Sequence, residues 1–159
     1  MEPLFLDSPM HEKIWGGNRL KTEFCYDIPS EHTGEYWAIS AHPNGVSYVK
    51  NGKYAGFHLA ELYKDKPELF GNPKTSVFPL LTKILDANDW LSVQVHPDDA
   101  YGLEHEGELG KTECWFVLQA DEGTKMVMGH HAKTKDEFVK AIENDDYDNL
   151  LNSFKIKAG

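Results

Sequence analysis

Between Glu35 and Met128 the chain is a succession of short runs, rich in β-branched and large apolar residues, each closed by a turn signal. Tyr36, Trp37 and Ile39 are followed by Pro43-Asn44-Gly45 and then by Val46, Tyr48 and Val49, the pattern of a β-hairpin. Residues 78–85 and 90–95 flank Asn88-Asp89, and residues 113–118 and 125–128 flank Asp121-Glu122-Gly123, so each couple is expected to be two strands joined by a tight connection. Runs this short are not stable alone and must pair into sheets. A mainly β fold with appended helices is therefore expected.

Helical spacing enters at fewer places. Leu59, Leu62 and Tyr63 recur on one helix face before Pro67, and Thr134 with Glu137 three residues later forms a capping box ahead of Phe138, Ala141 and Ile142. Tyr147, Leu150 and Leu151 predict a second short helix, and Asp98-Asp99, after Pro97, should cap one starting near Ala100. The first forty residues, punctuated by Gly16-Gly17, Pro29 and Gly34, read as short elements joined by turns. Phe154-Lys155-Ile156 reads as a strand starting without a return partner, an exposed edge through which two copies could associate. No repeat or linker composition divides the chain, so residues 1–159 are expected to form a single domain.

Sixteen basic and 26 acidic side chains give a formal charge of −10, which sets the field against nucleic acid but leaves room for a small phosphorylated ligand held by a few local cations. No long apolar run suggests a membrane span. The two cysteines, Cys25 and Cys114, form no CxxC pair, and the first residues carry no basic stretch followed by an apolar one, which fits a reducing cytoplasm.

On an extended backbone, Trp90, Ser92, Gln94 and His96 project to one side and Leu91, Val93 and Val95 to the other. The second face reads as core. The first is either a solvent-facing edge or one wall of a polar cavity, where an imidazole and a side-chain carbonyl can share a metal ion. Glu113 lies within the apolar run 113–118 and shares a face with Lys111; its carboxylate needs either a metal or a surface ion pair with that lysine. Lys83, between Thr82 and Ile84, either reaches along the surface to water or meets an anionic ligand. His130-His131 follows Gly129 in an expected turn and reads as solvated, and His11, His32, His42, His58 and His105 have no partner spacing that singles them out.

Taken together, Leu91-Ser92-Val93-Gln94-Val95-His96-Pro97-Asp98 and Gly110-Lys111-Thr112-Glu113 resemble the metal-binding signature of type I mannose-6-phosphate isomerases. Ile14-Trp15-Gly16-Gly17, Glu35-Tyr36-Trp37-Ala38-Ile39-Ser40 and Phe78-Pro79-Leu80-Leu81-Thr82-Lys83-Ile84-Leu85 are similar to the same family, in its short bacterial branch. The resemblance implies a cupin-type jelly-roll β-barrel, incomplete at the C-terminus, with Gln94, His96 and Glu113 as zinc ligands. It implies that Lys83 and Ser92 lie near the substrate phosphate and that Lys111, as a catalytic group, and Trp15 line the active site. It also implies that the chain is the N-terminal portion of a longer isomerase, with a fourth zinc ligand, a histidine, beyond residue 159 and an arginine that Arg19, the sole arginine here, does not match. The expected reaction is the interconversion of mannose 6-phosphate and fructose 6-phosphate; the alternative is an inactive cupin-like fragment that binds metal or sugar phosphate. Gln, His and Glu would also accept nickel, cobalt or iron.

Overall fold

The computed structural model describes residues 2–159. The chain resolves into two compact units, Met1–Gln94 and Val95–Gly159. No helix among the described residues is long and apolar enough to cross a membrane.

The first unit is built on β3 (Thr33–His42), the longest strand. It pairs antiparallel with β2 (Met10–Gly17) on one side and with β6 (Leu81–Leu85) on the other, and it turns through Pro43-Asn44 into β4 (Gly45–Val46). The hairpin expected from Pro43-Asn44-Gly45 thus forms, but Tyr48 and Val49 leave it and pair instead with β1 (Leu6–Asp7) as β5. The exit is fixed by Ser47, which is fully buried: its Oγ accepts the Ser40 N–H at 2.9 Å and the Ser8 hydroxyl at 2.8 Å. Helix α1 (Arg19–Thr22) starts against Asp86, whose carboxylate accepts the Arg19 N–H at 2.6 Å, and buries Leu20. Helix α2 (Leu59–Asp65) buries Leu59, Leu62 and Tyr63, the expected stripe. Its N-terminus is capped by the His58 imidazole, a cap that composition rules for Ser, Thr, Asp and Asn do not anticipate.

Strand β2 carries a wide bulge. Both Glu12 and Gly17 face Thr33, so residues 13–16 loop out of the ladder. Gly16 allows this, because a Cβ there would lie 2.4 Å from the His32 carbonyl oxygen. The bulge turns Trp15 into the core while Ile14 points outward, 99% exposed.

In the second unit, α3 (Asp99–His105) is capped by Asp98, which accepts the Tyr101 N–H at 2.9 Å. Helix α4 (Lys135–Glu143) begins at Thr134, whose hydroxyl accepts the Glu137 N–H at 3.1 Å, while Glu137 reaches back to the Lys133 N–H. Helix α5 (Tyr147–Leu150) buries Leu150. Strands β7 (Lys125–His130) and β8 (Leu151–Lys155) are antiparallel, with a bulge between Val127 and His130 where Gly129 takes φ 79°.

Several strand expectations are corrected. The run 90–95 forms no ladder; β6 pairs with β3, and the turn after it is held by the Asn88 N–H on the Trp15 carbonyl and the Trp90 N–H on the Asp89 carboxylate. Val93 and Val95, read as core, are 62% and 84% exposed. The run 113–118 does not pair with 125–128; β7 pairs with β8, so the C-terminal strand has the partner it was expected to lack. His130, read as part of a turn, lies in β7 with its ring against Phe138. β-structure dominates as expected, but the described strands fall into sheets of two, four and two, and no closed barrel forms among them.

Candidate metal centre

Two clusters of charged and aromatic side chains stand out, one in each unit. In the second unit, Gly110 lets the chain pass against the turn before α3: a Cβ there would lie 2.4 Å from the Asp98 carbonyl carbon and 2.5 Å from the Pro97 oxygen, and the next residue, Lys111, donates its N–H to that oxygen at 3.3 Å. This crossing carries Lys111 and Glu113 to His96. We expect Gly110→Ala to cost about 1–3 kcal/mol in a urea unfolding titration, since backbone, not a flexible side chain, must give way.

At the crossing, His96 Nε2 lies 3.4 Å from Glu113 Oε2, and Lys111 Nζ stands 2.7 Å from the same oxygen and 3.4 Å from the same nitrogen. An ammonium can only donate, so a hydrogen bond from Lys111 to His96 requires the tautomer whose Nε2 carries the lone pair, the one a metal would take. The Trp115 indole donates to Glu113 Oε1 at 2.6 Å. Burial pushes the Glu113 carboxyl up, but hydrogen bonds from Lys111 and Trp115 outweigh it, and the group is held below the usual carboxylate range. Glu113 is not the deeply buried carboxylate its apolar neighbours suggest: its side chain is 30% exposed, and Phe116 is 74% exposed. Of the two alternatives for Glu113, the ion pair with Lys111 is present.

The donor pair fits a divalent ion. Bonds of about 2.0–2.1 Å in tetrahedral geometry set two donors roughly 3.4 Å apart, which is the separation of His96 Nε2 and Glu113 Oε2. The Lys111 ammonium already occupies the cationic position against both atoms. Among the described residues no group of three or more His, Cys, Asp and Glu side chains converges as a metal site. In the first unit Gln94 donates its amide N–H to Ser92 Oγ at 3.3 Å, which keeps the two side chains on one side of the chain and leaves the amide oxygen as the group suited to a metal.

The other cluster surrounds Glu35, buried on β3. Its Oε2 accepts the Trp37 indole N–H at 2.7 Å and the Lys83 ammonium at 3.2 Å, and Lys13 approaches Oε1 at 3.8 Å. Lys83 also lies over the Trp37 ring, 4.6 Å from its centroid. The β3–β6 register explains this: Glu35 is opposite Leu85, so Glu35, Trp37 and Lys83 share one face. Lys83, its side chain 23% exposed, therefore meets an anion of the chain itself. Burial raises the Glu35 carboxyl, and the Trp37 and Lys83 contacts more than offset this, leaving it depressed. His11, opposite Glu35 on β2, packs its ring 4.4 Å from Trp37 with a buried Nε2 that has no hydrogen-bond partner among the described residues. Burial lowers its basicity, Glu35 works against this, and Lys13 and Lys83 add to it.

Both carboxylates have folded-state values below their ordinary 4.5. Their contribution to stability is complete above that value and is lost as pH falls through the lower folded values. The melting temperature should therefore fall on acidification below about pH 4.5, and Glu35→Gln should flatten that slope in a pH series of thermal melts.

Sequence reasoning brought Lys111 with Glu113 and Ser92 with Gln94, and both pairs form. It missed Glu35 and Trp37 as partners of Lys83, and Trp115 as a partner of Glu113. The available signal was the Glu-x-Trp spacing, which occurs at Glu35-Tyr36-Trp37 and again at Glu113-Cys114-Trp115.

The profile of the phosphomannose isomerase type I catalytic domain matches residues 4–119. The chain belongs to the type I phosphomannose isomerase family. It is 71% identical over 158 residues to the mannose-6-phosphate isomerase of Streptococcus mutans, covering 99% of this chain and 50% of that protein. It is 51% identical over 159 residues to mannose-6-phosphate isomerase ManA of Bacillus subtilis, again covering 99% of this chain and 50% of the relative. The crystal structure of the mannose 6-phosphate isomerase from Bacillus subtilis superposes with a TM-score of 0.98 at 50% identity, over 100% of this chain and 51% of that one. The mainly β architecture is thus that of the family, and the chain spans about half the length of the curated relatives it matches.

Proposed function

We propose that residues 1–159 form one cupin-like, zinc-binding domain of a cytoplasmic mannose-6-phosphate isomerase, and that Gln94, His96 and Glu113 are its ligands from this chain. The observation that carries the reading is the 3.4 Å approach of His96 Nε2 to Glu113 Oε2 with a cation already against both. The domain size and the Gln94 ligand rest on the family resemblance. Zinc supplies a Lewis acid that polarises the sugar's hydroxyl and carbonyl oxygens without redox change.

The residues divide the remaining work. Aldose–ketose isomerisation moves a proton between C2 and C1 through a cis-enediol, so negative charge grows on oxygen during the reaction. Lys111, as an ammonium beside Glu113 and His96, would donate a hydrogen bond to that oxygen. Lys83 and Ser92 hold the phosphate, turning remote binding energy into alignment of C1 and C2. Lys83 enters this role already oriented by Glu35 and Trp37. Trp15 lines the sugar site as a buried, rigid surface.

The test is conversion of mannose 6-phosphate by the purified chain with zinc added, followed by removal of the metal with a chelator. Turnover that disappears on chelation and returns with zinc supports the reading. A chain that takes up zinc but converts nothing is the binding fragment, and turnover indifferent to chelation overturns the metal assignment.

A further inference from the structure

The two oxygens of Glu113 have different partners. Oε1 takes the Trp115 indole N–H at 2.6 Å, whereas Oε2 faces Lys111 at 2.7 Å and His96 at 3.4 Å. At the other Glu-x-Trp site the division is absent: Trp37 and Lys83 both bind Oε2 of Glu35. The spacing accounts for the indole contact in each case, since residues i and i+2 of extended chain project to one side. What distinguishes Glu113 is that the donor on one oxygen leaves the other to the cation and the imidazole.

A glutamate carboxylate turns about a broad terminal torsion, so without a constraint either oxygen, or both, can meet an ion. An indole N–H is a donor only, so its bond to a carboxylate oxygen depends on no tautomer or protonation change of its own. We infer that Trp115 is a positioning residue: its N–H ties down Oε1, so that Glu113 addresses a metal through Oε2 alone, the oxygen facing His96 Nε2. The inference rests on the reading of His96 and Glu113 as metal ligands. Trp115 does not touch the metal position; it acts through Glu113.

The prediction concerns coordination rather than packing. When the N–H is lost, Oε1 becomes free to bind the same ion, the coordination number rises and the ligand set loosens. Cobalt(II) reports this directly, because its visible absorption weakens as four-coordinate geometry gives way to higher coordination. Trp115 should be replaced in the intact chain by benzothienylalanine, which keeps the two-ring outline and puts sulfur where the N–H was, with Trp115→Phe prepared beside it. Both proteins are titrated with cobalt(II), and their melting temperatures are compared with that of the parent.

The expected result is cobalt binding weakened roughly 10- to 100-fold in both variants, with weaker visible absorption at saturation and an unchanged melting temperature for the benzothienylalanine form. Unchanged affinity and spectrum in that form overturn the inference, even if Trp115→Phe binds poorly, since shape and not the N–H then matters. A parent chain that takes up no cobalt overturns the metal reading of His96 and Glu113 and the inference with it; a parent that binds while the analogue is indifferent overturns the inference alone.

Discussion

If the chain is the zinc isomerase proposed above, His96→Ala should abolish its zinc uptake and lower mannose 6-phosphate turnover by roughly 1,000-fold or more, the rate equivalent of the several kcal/mol that Lewis-acid stabilisation contributes. The imidazole is one of two donors that face a common cationic position, and alanine leaves Glu113 paired with Lys111 alone. The fold should persist, because His96 is in contact with side chains at the surface and not with the buried core. Elemental analysis for zinc, a coupled assay for fructose 6-phosphate and a thermal melt separate these effects. Zinc content and turnover both equal to the parent would remove His96 from the site, and lost turnover with retained zinc would make it a substrate contact.

Lys83→Met should be the most destabilising of the single substitutions considered, at about 3–5 kcal/mol, because it strands the buried Glu35 carboxylate. The Trp37 N–H remains as a donor and Lys13 at 3.8 Å is a distant one, which places the effect toward the lower end of that range. Pairing it with Glu35→Leu should restore much of the loss, since removing both charges avoids the uncompensated one. Urea titrations of the single and double variants measure this. A single variant as stable as the parent would show that Lys13 moves in to replace Lys83. The same titrations at pH 4 and pH 7 should differ less for Glu35→Gln than for the parent, following the sign worked out for the depressed carboxylates.

Local signals carried most of the elements. Leu59, Leu62 and Tyr63 were enough for α2, Thr134 with Glu137 for the start of α4, and Asp98 for the cap of α3, because each is settled within a turn or two of backbone. Strand pairing was not legible in the same way. Residues 113–118 have the composition of a strand, but composition does not name the neighbour some 4.8 Å away on which a ladder depends. Lys125 pairs with Lys155 and not with the run before the turn at Asp121-Glu122-Gly123. The exposure of Val93 and Val95 has the same origin: alternation says which residues share a side and leaves open whether that side is covered.

By itself the sequence determined the family, through residues 91–98 and 110–113, and it determined that Lys111 lies with Glu113 and Ser92 with Gln94, since i, i+2 residues of extended chain point the same way. Only the tertiary structure decided that His96 meets Lys111, 15 residues away, and that Lys83 meets Glu35, 48 residues away. The first meeting depends on backbone passing Pro97 and Asp98 where Gly110 has no Cβ, and the second on the register of β6 against β3. Short-range pattern sets the direction of a side chain, whereas closure of the intervening loop is set by contacts elsewhere in the unit, and those contacts fix the distances on which the metal reading stands.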